Sequence, residues 1–149
     1  MKKNTALVFL VGLLLSGLFL MFSSDAAIAG ENHAGTIQKD PLVEVFYFHY
    51  SRRCASCINV EKETKRLVEE TYATEIQAGE LVFASINLEE PANQAIAERA
   101  GASGQSILVV GAGQRQELTQ QGFMYARNAS RYQQELKKTI DPILAAAKK

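Results

Sequence analysis

The sequence is poor in the residues that build metal and nucleotide sites. Two cysteines, two histidines and no repeated Asp/Glu spacing exclude a reading as a metal-cluster protein. Gly101, Gly104, Gly111 and Gly113 lack the spacing, and the following helix, of a phosphate-cradling loop, so the chain shows no flavin or nicotinamide site of its own. Neither charge sign is in excess, with 16 Lys and Arg against 16 Asp and Glu. That balance excludes the basic footprint of a nucleic-acid binder and gives no cause to expect an acidic ligand. No internal repeat or low-complexity tract is present. What is there is ordinary for a globular chain: 47% hydrophobic and 21% charged residues over 149 positions, enough for one domain with a real core.

Residues 1–29 follow the three-part plan of a secretory signal. Met1-Lys2-Lys3 gives a positive start, Ala6 to Phe22 carries no charge, and Ala27-Ile28-Ala29 is a small-x-small site before Gly30. The apolar run is long for a signal core and just short of a comfortable membrane span. Two readings stand: export with cleavage after Ala29, or an uncleaved N-terminal anchor. No cysteine lies near the site, so lipidation there is excluded. Both readings place the cysteines outside the cytoplasm, periplasmic or membrane-tethered, and membrane contact is expected only through this segment if it is retained. Residues 30–41 are polar and aperiodic and read as a linker, with His33 solvated within it. Residues 42–149 form the expected domain.

The organising stretch is Val43 to Ile58, VEVFYFHYSRRCASCI. An apolar run rich in Val, Phe and Tyr reads as a largely buried strand over Leu42 to Phe48. A polar turn follows, and Cys54-Ala55-Ser56-Cys57 opens a long helical pattern. A C-x-x-C at such a junction puts one sulfur at a helix N-terminus, where free N–H groups and the positive end of the macrodipole favour a thiolate. The second cysteine lies one turn on, within reach to close a small disulfide.

The helix is expected over Ala55 to Ala78, with Ile58, Leu67, Val68, Tyr72 and Ile76 on a common face and Gly79 as its stop. Glu61 and Lys65 stand in the favourable i,i+4 order on the opposite, solvated face. Leu81 to Leu88 reads as the next strand. Pro91 suits the start of a helix over Ala92 to Ala100, which Gly101 ends. Ser106 to Val110 is a third strand, Gly111-Ala112-Gly113 a turn, and Gln116 to Gln121 a weak return strand. A last helix starts near Asn128 or Ser130 with a stripe of Tyr132, Leu136, Ile140 and Ile143, kinked or shortened by Pro142. The order βαβ then ββα predicts an α/β fold: a central mixed sheet of about four strands in three layers, flanked by helices. The cysteines then lie beyond the carboxyl end of the first strand, where such sheets place their sites.

Over Leu42 to Ala147 this order and motif resemble the thioredoxin superfamily. The carrying residues are VEVFYF, Cys54-Ala55-Ser56-Cys57, NLEEP at Asn87 to Pro91, and GASGQSILVV at Gly101 to Val110. More narrowly, Phe48-His49 and Arg53-Cys54-Ala55-Ser56-Cys57-Ile58 are similar to the small exported thioredoxin-like proteins of the ArsF family, a nitrophenyl-compound nitroreductase subunit of aromatic-arsenical systems. That resemblance implies electron delivery towards reduction of a nitroaromatic arsenical, alongside membrane partners. The chain departs from the superfamily pattern at three places. Ser106 stands where a cis-proline is usual, Phe48 where a buried acid is usual, and Tyr50 where a tryptophan is usual. These departures argue against a general thioredoxin.

Cys54 is the expected nucleophile and Cys57 the resolving thiol. The bland alternative is a structural staple, but a bridge this local closes so small a loop that it constrains the unfolded chain little. Arg53, next to the sulfur, either favours its thiolate or is merely solvated, and Arg52 is the weaker candidate of the two arginines. His49 either relays the proton of Cys57 or is satisfied by a backbone carbonyl. Ser106 either hydrogen-bonds a sulfur or simply begins a strand. Tyr47, Phe48 and Tyr50 read as core or rim aromatics.

The function that follows is an extracytoplasmic thiol-disulfide oxidoreductase whose only redox group is the Cys54–Cys57 pair, with no further cofactor and no resident metal. It serves a dedicated redox partner and is recharged by a membrane electron donor. The alternative is a binding protein that holds Cu(I) or trivalent arsenic between the same two thiolates. A third reading is an inert disulfide module that presents a surface.

Overall fold

The computed structural model describes residues 40–149. The signal or anchor reading of residues 1–29, and the linker up to residue 39, lie outside the described residues. Among the described residues no helix is long and apolar enough to cross a membrane.

Four strands form one mixed sheet: β1 (Val43–His49), β2 (Leu81–Asn87), β3 (Ser106–Gly111) and β4 (Gln114–Glu117), in the order β2-β1-β3-β4. β1 pairs parallel with β2 and antiparallel with β3, and β3 pairs antiparallel with β4. β1 therefore has a neighbour on each side and a helical layer on each face. This is why it reads as a nearly unbroken apolar run instead of an alternating one. Val43, Val45 and Tyr47 point to one face, and Phe46 and Phe48 to the other. Glu44 shares the second face and leaves it at the edge, where Arg99 binds it over 2.5 and 2.9 Å.

On the first face lie α1 (Ala55–Thr71), α2 (Ala73–Gln77), α4 (Thr119–Tyr125) and α5 (Ala129–Ala147). Their apolar side chains join Val43, Val45, Tyr47, Ile107 and Val109 in the larger core cluster. On the second face a single 3₁₀ turn (Pro91–Asn93) and α3 (Gln94–Ala100) cover Phe46, Phe48 and Leu108. Each fully buried Val, Leu, Ile or Phe here contributes roughly 1.5–3 kcal/mol relative to exposure. The result is the expected three-layer α/β/α arrangement, compatible with a thioredoxin-like fold.

Several elements differ from the sequence expectation. The long helix breaks at Tyr72, whose φ of −117° and ψ of 30° leave the helical region. Its ring turns into the core and its hydroxyl donates to Asp141 Oδ1 over 2.6 Å. The five-residue α2 follows, and Gly79, at φ 68°, ends the segment in the left-handed region that glycine adopts freely. The buried face of α1 runs through Cys57, Val60, Thr64, Leu67 and Val68, so Ile58 is 49% exposed instead of core. Thr64 is tolerated in the core because its hydroxyl donates to the Val60 carbonyl over 2.7 Å and meets Tyr132 Oη at 2.6 Å.

The return strand is the largest correction. It covers Gln114–Glu117 and stops there, while Thr119–Tyr125 is a helix. Leu118 leaves the sheet to bury its side chain, and Gly122 lets α4 sit directly on the core. A Cβ at Gly122 would collide with Ile107 Cδ1 and come within 3.0 Å of Tyr132 Oη. The final helix starts after Asn128, which caps it by accepting from Arg131 N over 3.1 Å. The expected stripe is buried, but Pro142 does not shorten the helix, which runs on to Ala147. Pro142 is exposed, so the carbonyl left unpaired by its missing N–H faces water.

Candidate redox site

β1 ends at His49, and five residues separate it from the start of α1 at Ala55. The connecting turn is held by the segment after β2. Ser51 N donates to Glu89 Oε2 over 2.8 Å, Asn87 Nδ2 donates to Ser51 Oγ over 3.0 Å, and Leu88 N donates to the His49 carbonyl over 2.8 Å. The NLEEP stretch thus fixes the turn that presents the cysteines. The bonds from Ser51 hold the Glu89 carboxyl below its ordinary range.

Cys54 is the N-cap of α1, with extended backbone at φ −77° and ψ 161°, and Cys57 is the third helical residue. The two form a disulfide with Cα atoms 5.1 Å apart. Cys57 N–H donates to Cys54 Sγ over 3.1 Å, the bond an N-cap side chain ordinarily accepts. No acidic side chain occupies the first turn of α1, so the positive end of the helix acts on the sulfur uncompensated from within the helix. Cys54 is exposed, whereas Cys57 is 9% exposed. The pair is therefore unequal: Cys54 is exposed at the cap and accepts an N–H bond, and Cys57 is screened behind it.

Arg53 lies beside the pair, half-buried, and its guanidinium is bound to Glu61. Glu61 also accepts from Ser85 Oγ over 2.5 Å. Its expected pairing with Lys65 is not formed; Lys65 meets Glu69 at 3.9 Å. Helical spacing puts Glu61 four residues after Cys57, on the side of α1 facing Ser85 of β2. The positive charge of Arg53 is thus compensated by a carboxylate.

His49 is buried, with Nδ1 2.9 Å from the Tyr50 carbonyl. A carbonyl only accepts, so Nδ1 is the nitrogen that donates in this bond. Ser106 is buried at the start of β3, paired in register with Phe48, and its hydroxyl donates to the Gly104 carbonyl over 3.0 Å. No cis peptide occurs among the described residues.

Phe48 lies on the sheet face away from α1, packed with Phe46 and Leu108. The β1 residue behind the cysteines is Tyr47, whose hydroxyl donates to the Cys57 carbonyl over 2.9 Å and accepts from Gln105 Nε2 over 3.0 Å. Burial raises its phenol above the ordinary value. Strand alternation groups Tyr47 with Val43 and Val45 on one face, but with both faces buried it does not say which of them meets α1. Glu61 and Gln105 had no comparable signal, since both are brought to the site by tertiary packing.

Comparison with protein-family models finds no match to this chain, and comparison with curated proteins finds none either. The fold and the cysteine pair together fit a thiol-disulfide oxidoreductase in general.

Proposed function

We propose that this protein is a dithiol carrier that exchanges its Cys54–Cys57 disulfide with the disulfide or dithiol of a dedicated partner protein. The observation that carries the reading is the inequality of the two sulfurs. Cys54 is exposed at a helix N-cap and accepts an N–H bond, while Cys57 is screened one turn behind it. A structural staple needs no such asymmetry, and a bridge across three residues adds little to stability.

In the direction of partner reduction, the Cys54 thiolate attacks a partner sulfur, the partner's S–S bond breaks, and its distal sulfur leaves as a thiolate. Cys57 then gives up its proton and attacks Cys54 Sγ, closing the disulfide and releasing the second partner thiol. Two electrons pass to the partner, and the reverse sequence oxidises it. Read with the export plan of residues 1–29, the couple works outside the cytoplasm and is recharged by a membrane electron donor. The resemblance to the ArsF family supports a narrower form, in which the electrons go towards reduction of a nitroaromatic arsenical on another subunit that holds the cofactor.

The test is a pair of substitutions. Cys57→Ala should accumulate a mixed disulfide through Cys54 that resists non-reducing electrophoresis, whereas Cys54→Ala should trap nothing. Equal failure of both to trap a disulfide-bearing protein would reject exchange.

A further inference from the structure

Resting on the exchange reading, we propose that a groove beside the disulfide receives the partner, and that it selects a segment with an apolar residue and acidic residues near the reactive cysteine. The groove, of about 330 Å³, runs between the start of α1 and the end of α4. Ala55 and Ser56, the two residues between the cysteines, form part of its wall, so whatever fills it meets the chain that joins the two sulfurs.

Three features define the occupant. First, Phe123 lines the groove and is 42% exposed, and Ile58, one turn along α1 from Cys54, is 49% exposed. Large apolar side chains left this open beside a reactive sulfur are the anchors that protein interfaces favour. Second, the only charged residue in the wall is Arg127. Among the described residues Arg127 makes no ion pair, unlike Arg53, Arg66, Arg99, Arg115 and Arg131, and neither does Arg52, two residues before Cys54. An uncompensated cation in the wall and another close before the motif favour an acidic chain and disfavour a basic one. Third, Asn59 and Ser56 place side-chain amide and hydroxyl groups along the wall, able to bond a backbone that enters in extended form.

The pieces come from separate parts of the chain. α4 is the element that replaced the expected return strand, and the close seat provided by Gly122 brings Phe123 and Arg127 up to α1. The groove thus exists because the chain turns helical after Glu117.

The experiment uses the reduced full-length protein and two synthetic peptides. Each carries one cysteine as a mixed disulfide with thionitrobenzoate, beside a leucine; acidic residues flank one and lysines the other. Attack by Cys54 forms the peptide mixed disulfide and expels coloured thionitrobenzoate, and Cys57 then releases the peptide thiol. 2-Hydroxyethyl disulfide, too small to fill the groove, gives the reference rate. The acidic peptide should react at least about tenfold faster than the basic one. Phe123→Ala should lower the ratio of acidic-peptide rate to reference rate about fivefold, the scale of losing one apolar anchor. Arg127→Glu should shift the preference towards the lysine peptide. Equal rates for the two peptides, with the reference reaction intact, would overturn the groove assignment. So would a Phe123→Ala effect on self-association with no effect on peptide rates, which would give the groove to a second copy. Loss of reaction with all three disulfides would instead reject thiol exchange itself.

Discussion

The hydroxyl of Tyr47, on the central strand, donates to the carbonyl of Cys57, on the first turn of the helix that carries the disulfide, over 2.9 Å. It ties the screened sulfur's backbone to the most buried strand of the fold, and Gln105 completes it from the loop before β3. Tyr47→Phe keeps the ring and removes the bond. It should cost about 1 kcal/mol in urea unfolding, the net worth of one such bond, because the Cys57 carbonyl retains its place in the helix.

Arg53, next in sequence to Cys54, is bound to Glu61. Glu61→Gln removes the carboxylate and leaves the guanidinium less compensated beside the sulfur. Cys54 of the reduced protein should then be alkylated faster near neutral pH, because a less compensated neighbouring cation favours its thiolate. Iodoacetamide alkylation rates measure it, and Arg53→Gln should slow the reaction.

Gly122 is the point of closest approach of α4 to the core. Gly122→Ala places a methyl against Ile107, Val60 and the Tyr132 hydroxyl. A destabilisation of about 1–3 kcal/mol is expected, as for overpacking elsewhere. Gly113→Ala has nothing within 4 Å of its Cβ, and its cost, about 1 kcal/mol, comes from its φ of 69° alone.

Three buried phenols make the fold sensitive to alkali. Burial raises Tyr47 and Tyr72, the latter reinforced by Asp141, and pushes Tyr132 up to about 12. A group whose pKa is raised on folding stabilises fully below its unfolded value and loses that contribution as pH climbs to the folded value. Stability should therefore hold up to about pH 10 and fall between about pH 10 and 12, with Tyr132 alone accounting for roughly 2–3 kcal/mol. Denaturant midpoints across this range, compared between the protein and Tyr132→Phe, check the assignment.

The sheet, its layers and the place of the cysteine pair were legible because each left a local pattern. These were the apolar run from Val43 to Phe48, the cap-like position of Cys54, the left-handed glycine Gly101, and the stripe from Tyr132 to Ile143. What was not legible depends on contacts between distant segments. Thr119-Gln120-Gln121-Gly122 has no apolar period and ends on a glycine, so nothing local marks it as helix; it is one because Leu118 and Gly122 fit the core behind it. Glu61 reads as a surface acid from its polar neighbours, and only the approach of Arg53 and Ser85 gives it another role. Phe48 and Tyr47 are told apart by one residue of register, which a strand buried on both faces does not disclose.

The central claim is that Cys54 and Cys57 form a reversible two-electron couple, and its reduction potential is the measurement that tests it. The purified protein is equilibrated in graded glutathione and dithiothreitol buffers, and the two states are separated after alkylation. A single reversible transition between about −120 and −270 mV is expected, with the lower end marking a reductant and the upper end an oxidant of its partner. A disulfide that stays closed below about −300 mV, or that opens without re-forming, would contradict a carrier and leave a structural bridge or a soft-ion site in its place.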